Sequence, residues 1–459
     1  MTLFFCQKAL TKQNICLRRP LKIPLREDAN LEATIIKQSL LSLISEMAKE
    51  PEHYVKNPGK DFTRNRKLTF ETMLKMMLCM GGNTLNEELY DWFEFSADTP
   101  SVSAFVQQRN KLLPTALQEL FERFNATCNE KVFHQGYQLL AIDGTDLRLP
   151  TNKNDDLSFM QNEESMKGYN LMHLDAMYDL LRNIYVDVSL QMKKEENEHK
   201  AFVKMVDSST SKNKTIVIAD RGYESYNNMA HIQEKGWNYI IRAKDSYGII
   251  SKLIIPKNET EFDLQKEVNL TRRQTRETCA LIKHMPENYR FVQTATTFDY
   301  LKPRENKFYK IQFRIVRFQI SEDFFETVYT NLDSEQFPMA QIKALYHKRW
   351  GIETAFRDLK YRAELASLHS KKYESLLQEI YGRVIAYNIT SLIAGSMMVT
   401  ENKKINFSTA INFCRQYLKD RITEIVLYKL LNRHKSPIRE KRSFPRFKAQ
   451  KNSISFSYR

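Results

Sequence analysis

The chain predicts an α/β core set between two all-α regions. Two short apolar runs, Leu139–Ile142 and Ile216–Ala219, each lead into an aspartate followed by glycine or by Arg-Gly. Runs of that length bounded by turn residues read as buried strands, and an open α/β sheet presents its ligands at strand ends. A third segment, YHKRWGIETAFRDLK, has helical spacing. At ~100° per residue, Leu345, Ile352, Phe356 and Leu359 form an apolar stripe, and Tyr346, Arg349, Glu353 and Lys360 form a polar strip beside it. The strip also admits a plainer reading, a solvated face with Arg349–Glu353 and Glu353–Arg357 ion pairs.

Residues 1 to about 30 are irregular and basic, with Pro20 and Pro24. Leu31–Lys49 has helical spacing, and Lys56–Lys60 is turn-rich, followed by the cluster Arg64, Arg66 and Lys67. Phe70–Cys79, Gly81-Gly82-Asn83 and Leu85–Phe93 read as helix, turn, helix. That unit suits either a DNA-reading motif or an ordinary helix pair. Asn86 and Glu87 bring no positive charge to it. Ser101–Phe124 reads as two helices broken near Pro114.

From Gln138 the pattern becomes α/β. Leu171–Tyr178 and Asn183–Leu190 form a hairpin through Asp179, with Asp175 and Asp187 expected to face solvent. Then come a helix at Asn197–Val206, the strand before Asp220, a helix at Asn227–Lys235 and a strand at Asn238–Ala243. Thr275–Ile282, Arg290–Ala295, Tyr309–Ile320 and Glu326–Thr330 read as further strands. Beyond Lys360 the chain reads as helical to about Asn432. Val384–Val399 is its most apolar window, but Asn388, Thr390, Ser391 and Ser396 make it a buried helix rather than a membrane span.

The 459 residues carry a formal charge of +15, which points to a polyanionic partner. From Arg433 to Arg459 there are nine Lys/Arg and one Glu, a basic tail suited to DNA phosphates or to solubility alone. The cysteines, at 6, 16, 79, 128, 279 and 414, are scattered, and no secretory segment is evident. Reduced thiols and a cytoplasmic location are expected. The His and Cys residues show no C-x₂-C or H-x₃-H spacing, so a zinc site is not expected.

Asp143, Asp220 and Glu353 form an acidic triad on this reading. Three carboxylates suit two Mg²⁺ ions roughly 3.5–4 Å apart, with Mn²⁺ as a substitute, in an in-line phosphoryl transfer. Asp143 is preferred to Asp146 as the ligand because it directly follows the apolar run.

These motifs resemble those of the DDE transposases of the insertion sequence four family. Tyr346, Arg349, Glu353 and Lys360 match that family's Y-R-E-K motif. Asp143-Gly-Thr145 resembles its first aspartate region and Asp220-Arg-Gly-Tyr223 its second. The aspartates are 77 residues apart, and Glu353 follows 133 residues later. The resemblance spans about residues 60–395. It implies a ribonuclease H-like catalytic domain at 136–366 with a β-rich insertion at about 246–335. An N-terminal helical DNA-binding region at 1–135 and a C-terminal helical region with the basic tail at 367–459 would flank it. It further implies binding of double-stranded DNA at terminal inverted repeats and at a target, a homodimer on that DNA, and no membrane partner. Tyr346, Arg349, Lys360, Arg221 and Tyr223 would contact DNA or phosphate. The best-studied members of that family hold a flipped base with an insertion-domain Trp; here no Trp lies between residues 245 and 335. Tyr247, Phe262, Tyr289, Phe291 or Tyr300 would have to serve. Two other readings compete: a catalytically inactive, transposon-derived DNA-binding protein, and a tyrosine recombinase using Tyr346. The order of Arg and His around Tyr346 disfavours the latter.

Overall fold

A computed structural model describes residues 33–64, 66–128, 132–161, 167–244, 248–256, 259–322, 324–397 and 403–437. The basic N-terminus, Tyr247 and the tail beyond Pro437 lie outside these residues. The first part of the chain forms α1 (Ala33–Lys49), α2 (Phe70–Cys79), α3 (Leu85–Trp92), α4 (Val102–Arg109) and α5 (Thr115–Thr127). Thr69, Thr84 and Ser101 start α2, α3 and α4 by accepting backbone N–H bonds, and Thr84 with Glu87 completes a capping box.

The sheet is built from β1 (Gln138–Leu149), β2 (Phe159–Met160), β3 (Tyr169–Asp179) and β4 (Ile184–Met192), then β5 (Thr215–Ala219) and β6 (Asn238–Arg242). Helices α6 (Glu198–Ser208) and α7 (Tyr226–Glu234) flank β5 in sequence. The next segment adds β7 (Phe262–Thr271), α8 (Arg276–His284), β8 (Tyr289–Phe291), β9 (Phe308–Ser321) and β10 (Phe324–Thr330). Both segments share one ten-stranded sheet, ordered β2-β3-β1-β5-β6-β10-β9-β7-β8 with β4 also on β3. β1, β5 and β6 are parallel, β3 is antiparallel to β1, and β4 is antiparallel to β3. The later strands join through an antiparallel β6–β10 pair.

Alternation along the parallel strands explains why helices cover both faces. Leu140, Ile142, Val217, Ala219 and Ile241 pack with Phe202 and Met205 of α6 and Met229 and Ile232 of α7. Leu139, Ile216, Ile218 and Ile240 pack on the other side with Ile342, Leu345 and Tyr346 of α9 (Met339–His347). The chain continues as α10 (Trp350–Tyr361), α11 (Tyr373–Gly395), β11 (Lys403–Ile405), α12 (Phe407–Leu418), α13 (Glu424–Arg433) and β12 (Lys435–Pro437).

The early and late helices do not form separate bodies. Residues of α1, α2, α5, α11, α12 and α13 share one apolar core. The Tyr428 hydroxyl on α13 accepts from Ala33 N at 2.9 Å, at the start of α1. Gly382 lets α11 lie against α2: a Cβ there would be 2.9 Å from the Met77 carbonyl. The α2–α3 unit belongs to this bundle. Its Gly81-Gly82-Asn83 turn is held by Glu88, Arg383 and His369, and the first turn of α3 offers only acidic charge. The structure therefore favours the ordinary helix pair over a DNA-reading motif.

Several other expectations change. Thr275–Ile282 is helical rather than extended: Thr275 caps α8, Glu277 sits in its first turn, and Lys283 and His284 lie in its last. That order of charges suits the helix dipole. The motif helix is two helices, because i→i+3 bonds tighten the chain at Lys348 and Arg349. The short ribbon β11–β12 was not anticipated.

Neither Asp175 nor Asp187 faces open solvent, and Asp187 is half-buried, since α6 packs on β3 and β4 while α5 and α11 cover β4. Asp175 is fully buried. Burial pushes the Asp187 carboxyl up from 3.8 to about 6, against a bond from Val188 N. Its charged form is thus penalised in the fold, so the stability it contributes is present below about pH 4 and lost as pH rises through 6. Asp187→Asn, which keeps the acceptor, should raise stability at pH 8 by on the order of 1–2 kcal/mol. Denaturant midpoints at pH 8 and pH 4 check this: the gain should vanish at the lower pH.

Candidate active site

Sheet register brings the first two carboxylates together. Ile142 of β1 pairs with Ala219, the last residue of β5. The next residue on each strand is an aspartate, so Asp143 and Asp220 emerge side by side. The expectation that Asp143 ends its strand is corrected: β1 runs on to Leu149, paired only with β3. What ends at Asp143 is the β5 side of the ladder, and this leaves a cleft. Glu353 arrives from the first turn of α10, where the helix dipole favours an anion.

Arg349 joins the three. It donates to Glu353 Oε1 at 2.8 Å and lies 3.7 Å from Asp143 Oδ2. Asp220 adds to the field that holds the guanidinium charged. Arg349 is 4 % exposed, whereas the side chains of Asp143, Asp220 and Glu353 remain 22 %, 33 % and 32 % open. The cation is buried and the carboxylates face the cleft. Burial pushes the Asp143 carboxyl up to about 6; Arg349 and the Gly144 N–H oppose this, while Glu353 and Asp220 reinforce it.

The remaining motif residues surround this hub. Tyr346 is 1 % exposed, and its hydroxyl makes a long bond of 3.4 Å to Asp220 Oδ1. Burial holds its phenol well above the usual range. Arg242 lies 3.8 Å from Asp220 Oδ1 and 3.5 Å from Glu326. Lys360 donates to Thr145 Oγ1 at 2.6 Å and to the Asp146 carbonyl at 2.7 Å, tying α10 to β1. Arg221 is exposed at the mouth, on the turn after Asp220. Tyr223 is 2 % exposed, with its hydroxyl among Asp175, Asp143, Glu198 and Asp220. Neither Tyr223 nor Tyr346 offers its ring to a duplex, so packing takes the part expected of a surface contact. Phe262 is likewise in the core, and Tyr300 stacks on Tyr309 with centroids 5.4 Å apart. Tyr289 and Phe291 are half-buried.

Three carboxylates around a cleft are a hard oxygen set, suited to Mg²⁺ or Mn²⁺. Their ligand atoms are not gathered as for one ion. Among the described residues, the groups whose ligand atoms all lie within 4.8 Å of one another are Asp146/His173/Glu196 and His173/Asp175/Glu198.

That second cluster was missed from sequence. Asp146, passed over as a ligand in favour of Asp143, faces His173 across β1 and β3. His173 Nδ1 lies 2.9 Å from Asp146 Oδ1 and 3.3 Å from Glu196. Its Nε2 lies 3.4 Å from Asp175 Oδ1 and 3.4 Å from Glu198 Oε1. The available signal was a pair of short repeats: His173-x-Asp175, whose side chains share one face of a strand, and Glu196-x-Glu198 at the start of α6.

Residues 134–389 match the family model described as transposase DDE domain. A transposase for insertion sequence element IS4 from Escherichia coli strain K12, InsG, is 22 % identical over 295 residues. The aligned part is 62 % of this chain and spans 60 % of the length of that relative. A cryo-EM structure of the piggyBac transposase synaptic complex with hairpin DNA aligns over 88 % of this chain and 85 % of its own. Its TM-score is 0.44 and its identity 11 %. No helix among the described residues is long and apolar enough to cross a membrane.

Proposed function

The chain belongs to the transposase DDE domain family, and on that premise we propose that it cuts and rejoins DNA at the ends of an insertion sequence. Asp143, Asp220 and Glu353 are the proposed catalytic and metal-binding triad. The observation that carries this reading is the pairing of Ile142 with Ala219, which sets Asp143 beside Asp220 opposite Glu353. The central strand order β3-β1-β5-β6, with its antiparallel hairpin on β1, supports a ribonuclease H-like core. The segment from β7 to β10 is the proposed insertion, continuous with that sheet.

Two Mg²⁺ ions held by the triad would supply an activated water or 3′-hydroxyl and a stabilised leaving oxygen. Arg349 spreads its positive charge under the carboxylates and keeps them from repelling one another when the cleft is vacant. Lys360 fixes α10, and so Glu353, against β1. Arg221 and Arg242 border the opening, where they can meet flanking phosphates. Tyr346 orients Asp220 through its hydroxyl and is too buried to attack phosphorus. Double-stranded DNA with terminal inverted repeats is the proposed substrate, and a homodimer on that DNA the proposed assembly.

The test uses the full chain and duplexes carrying the inverted repeats that border its reading frame. Nicking at the repeat tip should require Mg²⁺ or Mn²⁺, and Tyr346→Phe should keep at least about a tenth of the wild-type rate, since one long hydrogen bond is lost. A phosphotyrosyl adduct at Tyr346 would overturn the metal mechanism. Tight, specific binding with no nicking in either metal would favour the inactive DNA-binding protein.

A further inference from the structure

We propose that His173 Nε2, Asp175 Oδ1 and Glu198 Oε1 form a separate binding site for one divalent transition ion of the zinc class. The proposal is independent of the function assigned to the triad.

Geometry supplies the first argument. A protonated Nε2 donating to a carboxylate would sit at about 2.7–2.9 Å. Both carboxylate oxygens instead stand 3.4 Å away. That is the edge of a tetrahedron around an ion with ligand bonds of about 2.0–2.2 Å, roughly 3.3–3.6 Å. The three ligand atoms lie within 4.8 Å of one another.

Burial supplies the second. His173 is 4 % and Asp175 0 % exposed, yet His173 Nε2 and Asp175 Oδ1 have no hydrogen-bond partner among the described residues. Both orphaned atoms face the same space. Buried polar atoms without partners are costly, and a shared cation would satisfy both.

The space itself is the third. A Cβ on Gly144 would fall 2.4 Å from His173 Nε2 and 3.1 Å from Glu198 Oε1. Glycine at this position keeps open a volume at bonding distance from the imidazole. The supporting contacts are those a metal-bound histidine needs. Nδ1 faces Asp146 Oδ1 at 2.9 Å, a contact that would anchor the ring while Nε2 gives up its proton to a bound ion. Gln191 donates to Asp175 Oδ2 at 2.7 Å and orients the other oxygen. An imidazole with two carboxylates selects zinc-like ions over Mg²⁺. The ion would pin β3 to the start of α6, and the β1–β3 ladder, in which Asp175 pairs with Gly144, would pass that restraint to the strand carrying Asp143.

The experiment strips the full chain with a chelator and reloads it with Zn²⁺, or with Co²⁺ as a spectroscopic substitute. It uses an Asp143→Asn/Asp220→Asn/Glu353→Gln background, in which the triad cannot hold metal. That background should retain one Zn²⁺ per chain by elemental analysis and give a tetrahedral Co²⁺ absorption band. Adding Glu198→Gln, whose side chain is 38 % exposed and whose loss the fold tolerates best, should weaken binding at least tenfold. Gly144→Ala should abolish the band, and His173→Gln should do the same with the far-ultraviolet dichroism unchanged. The proposal fails if the triad-free background binds no more Zn²⁺ than its His173→Gln derivative. It also fails if ¹⁵N spectra in equimolar Zn²⁺ show both His173 ring nitrogens protonated.

Discussion

Asp143→Ala, Asp220→Ala and Glu353→Ala should each reduce strand cleavage by about a thousandfold or more. Removing a carboxylate from a two-ion site costs several kcal/mol of transition-state stabilisation, and each 1.4 kcal/mol is tenfold in rate. Binding to the repeat ends should not weaken, because each substitution removes a carboxylate that repels DNA phosphate. The three substitutions are not equivalent for the apo protein. Glu353 is the closest partner of Arg349, at 2.8 Å, so its loss disturbs the buried guanidinium most. Glu353→Gln keeps an acceptor there and should remove cleavage while leaving the melting temperature near that of the parent. Single-turnover nicking with matched melting curves checks all three. A variant that nicks within tenfold of the parent removes its residue from the site.

The largest effect on stability should come from a position far from the cleft. Arg109 of α4 and Glu379 of α11 pair at 2.7 Å, with 2 % and 3 % of their side chains exposed. Glu379 Oε2 also accepts from His369 N at 2.7 Å. Glu379→Ala strands a buried guanidinium and should cost about 3–5 kcal/mol. Arg109→Met with Glu379→Gln removes both charges while keeping an acceptor for His369 N, and should recover most of that loss. Burial alone would raise the Glu379 carboxyl, but the His369 bond and the Arg109 charge outweigh it and hold it down at about 2. The stability it lends is therefore complete above its ordinary value of 4.5 and lost as pH falls towards 2. Denaturant midpoints from pH 7 to pH 3 should fall less steeply in the double variant than in the parent. An Ala variant as stable as the parent would mean that water reaches Arg109.

Much of the core was legible because its signals are local. An apolar run followed by an aspartate specifies a strand and the carboxylate it delivers, as at Asp143 and Asp220. Helix spacing placed Leu345, Ile352, Phe356 and Leu359 in the core, where they are at most 5 % exposed. Features that depend on partners distant in sequence were not legible. Asp175 and Asp187 sit on strands that alternate as half-exposed ones do, and only the helices laid over β3 and β4 bury the first and half-cover the second. The His173 cluster draws on two strands, a turn and a helix start, so no single motif spells it. The break at Lys348 and Arg349 carries no proline and leaves the apolar stripe intact. The segment after Thr275 shows how a cap and an order of charges can outweigh a run of residues read as extended. The pairing of the early helices with the late ones leaves no mark on either sequence.

That last pairing sets a timetable for synthesis. Ala33 meets Tyr428, a partner 395 residues further along the chain. At about 5–20 residues per second, α1 emerges roughly 20–80 s before the surface that covers it exists. Until α11 is made, Ile36, Leu40 and Ile44, which end fully or almost fully buried, lie on a helix whose neighbours are α2, α5 and the turn at Pro51–Tyr54. The sheet and its cleft are complete earlier than the bundle that encloses them. The first helices to be made thus join among the last to be covered, and a chain interrupted before α11 would expose an apolar face that the finished protein hides.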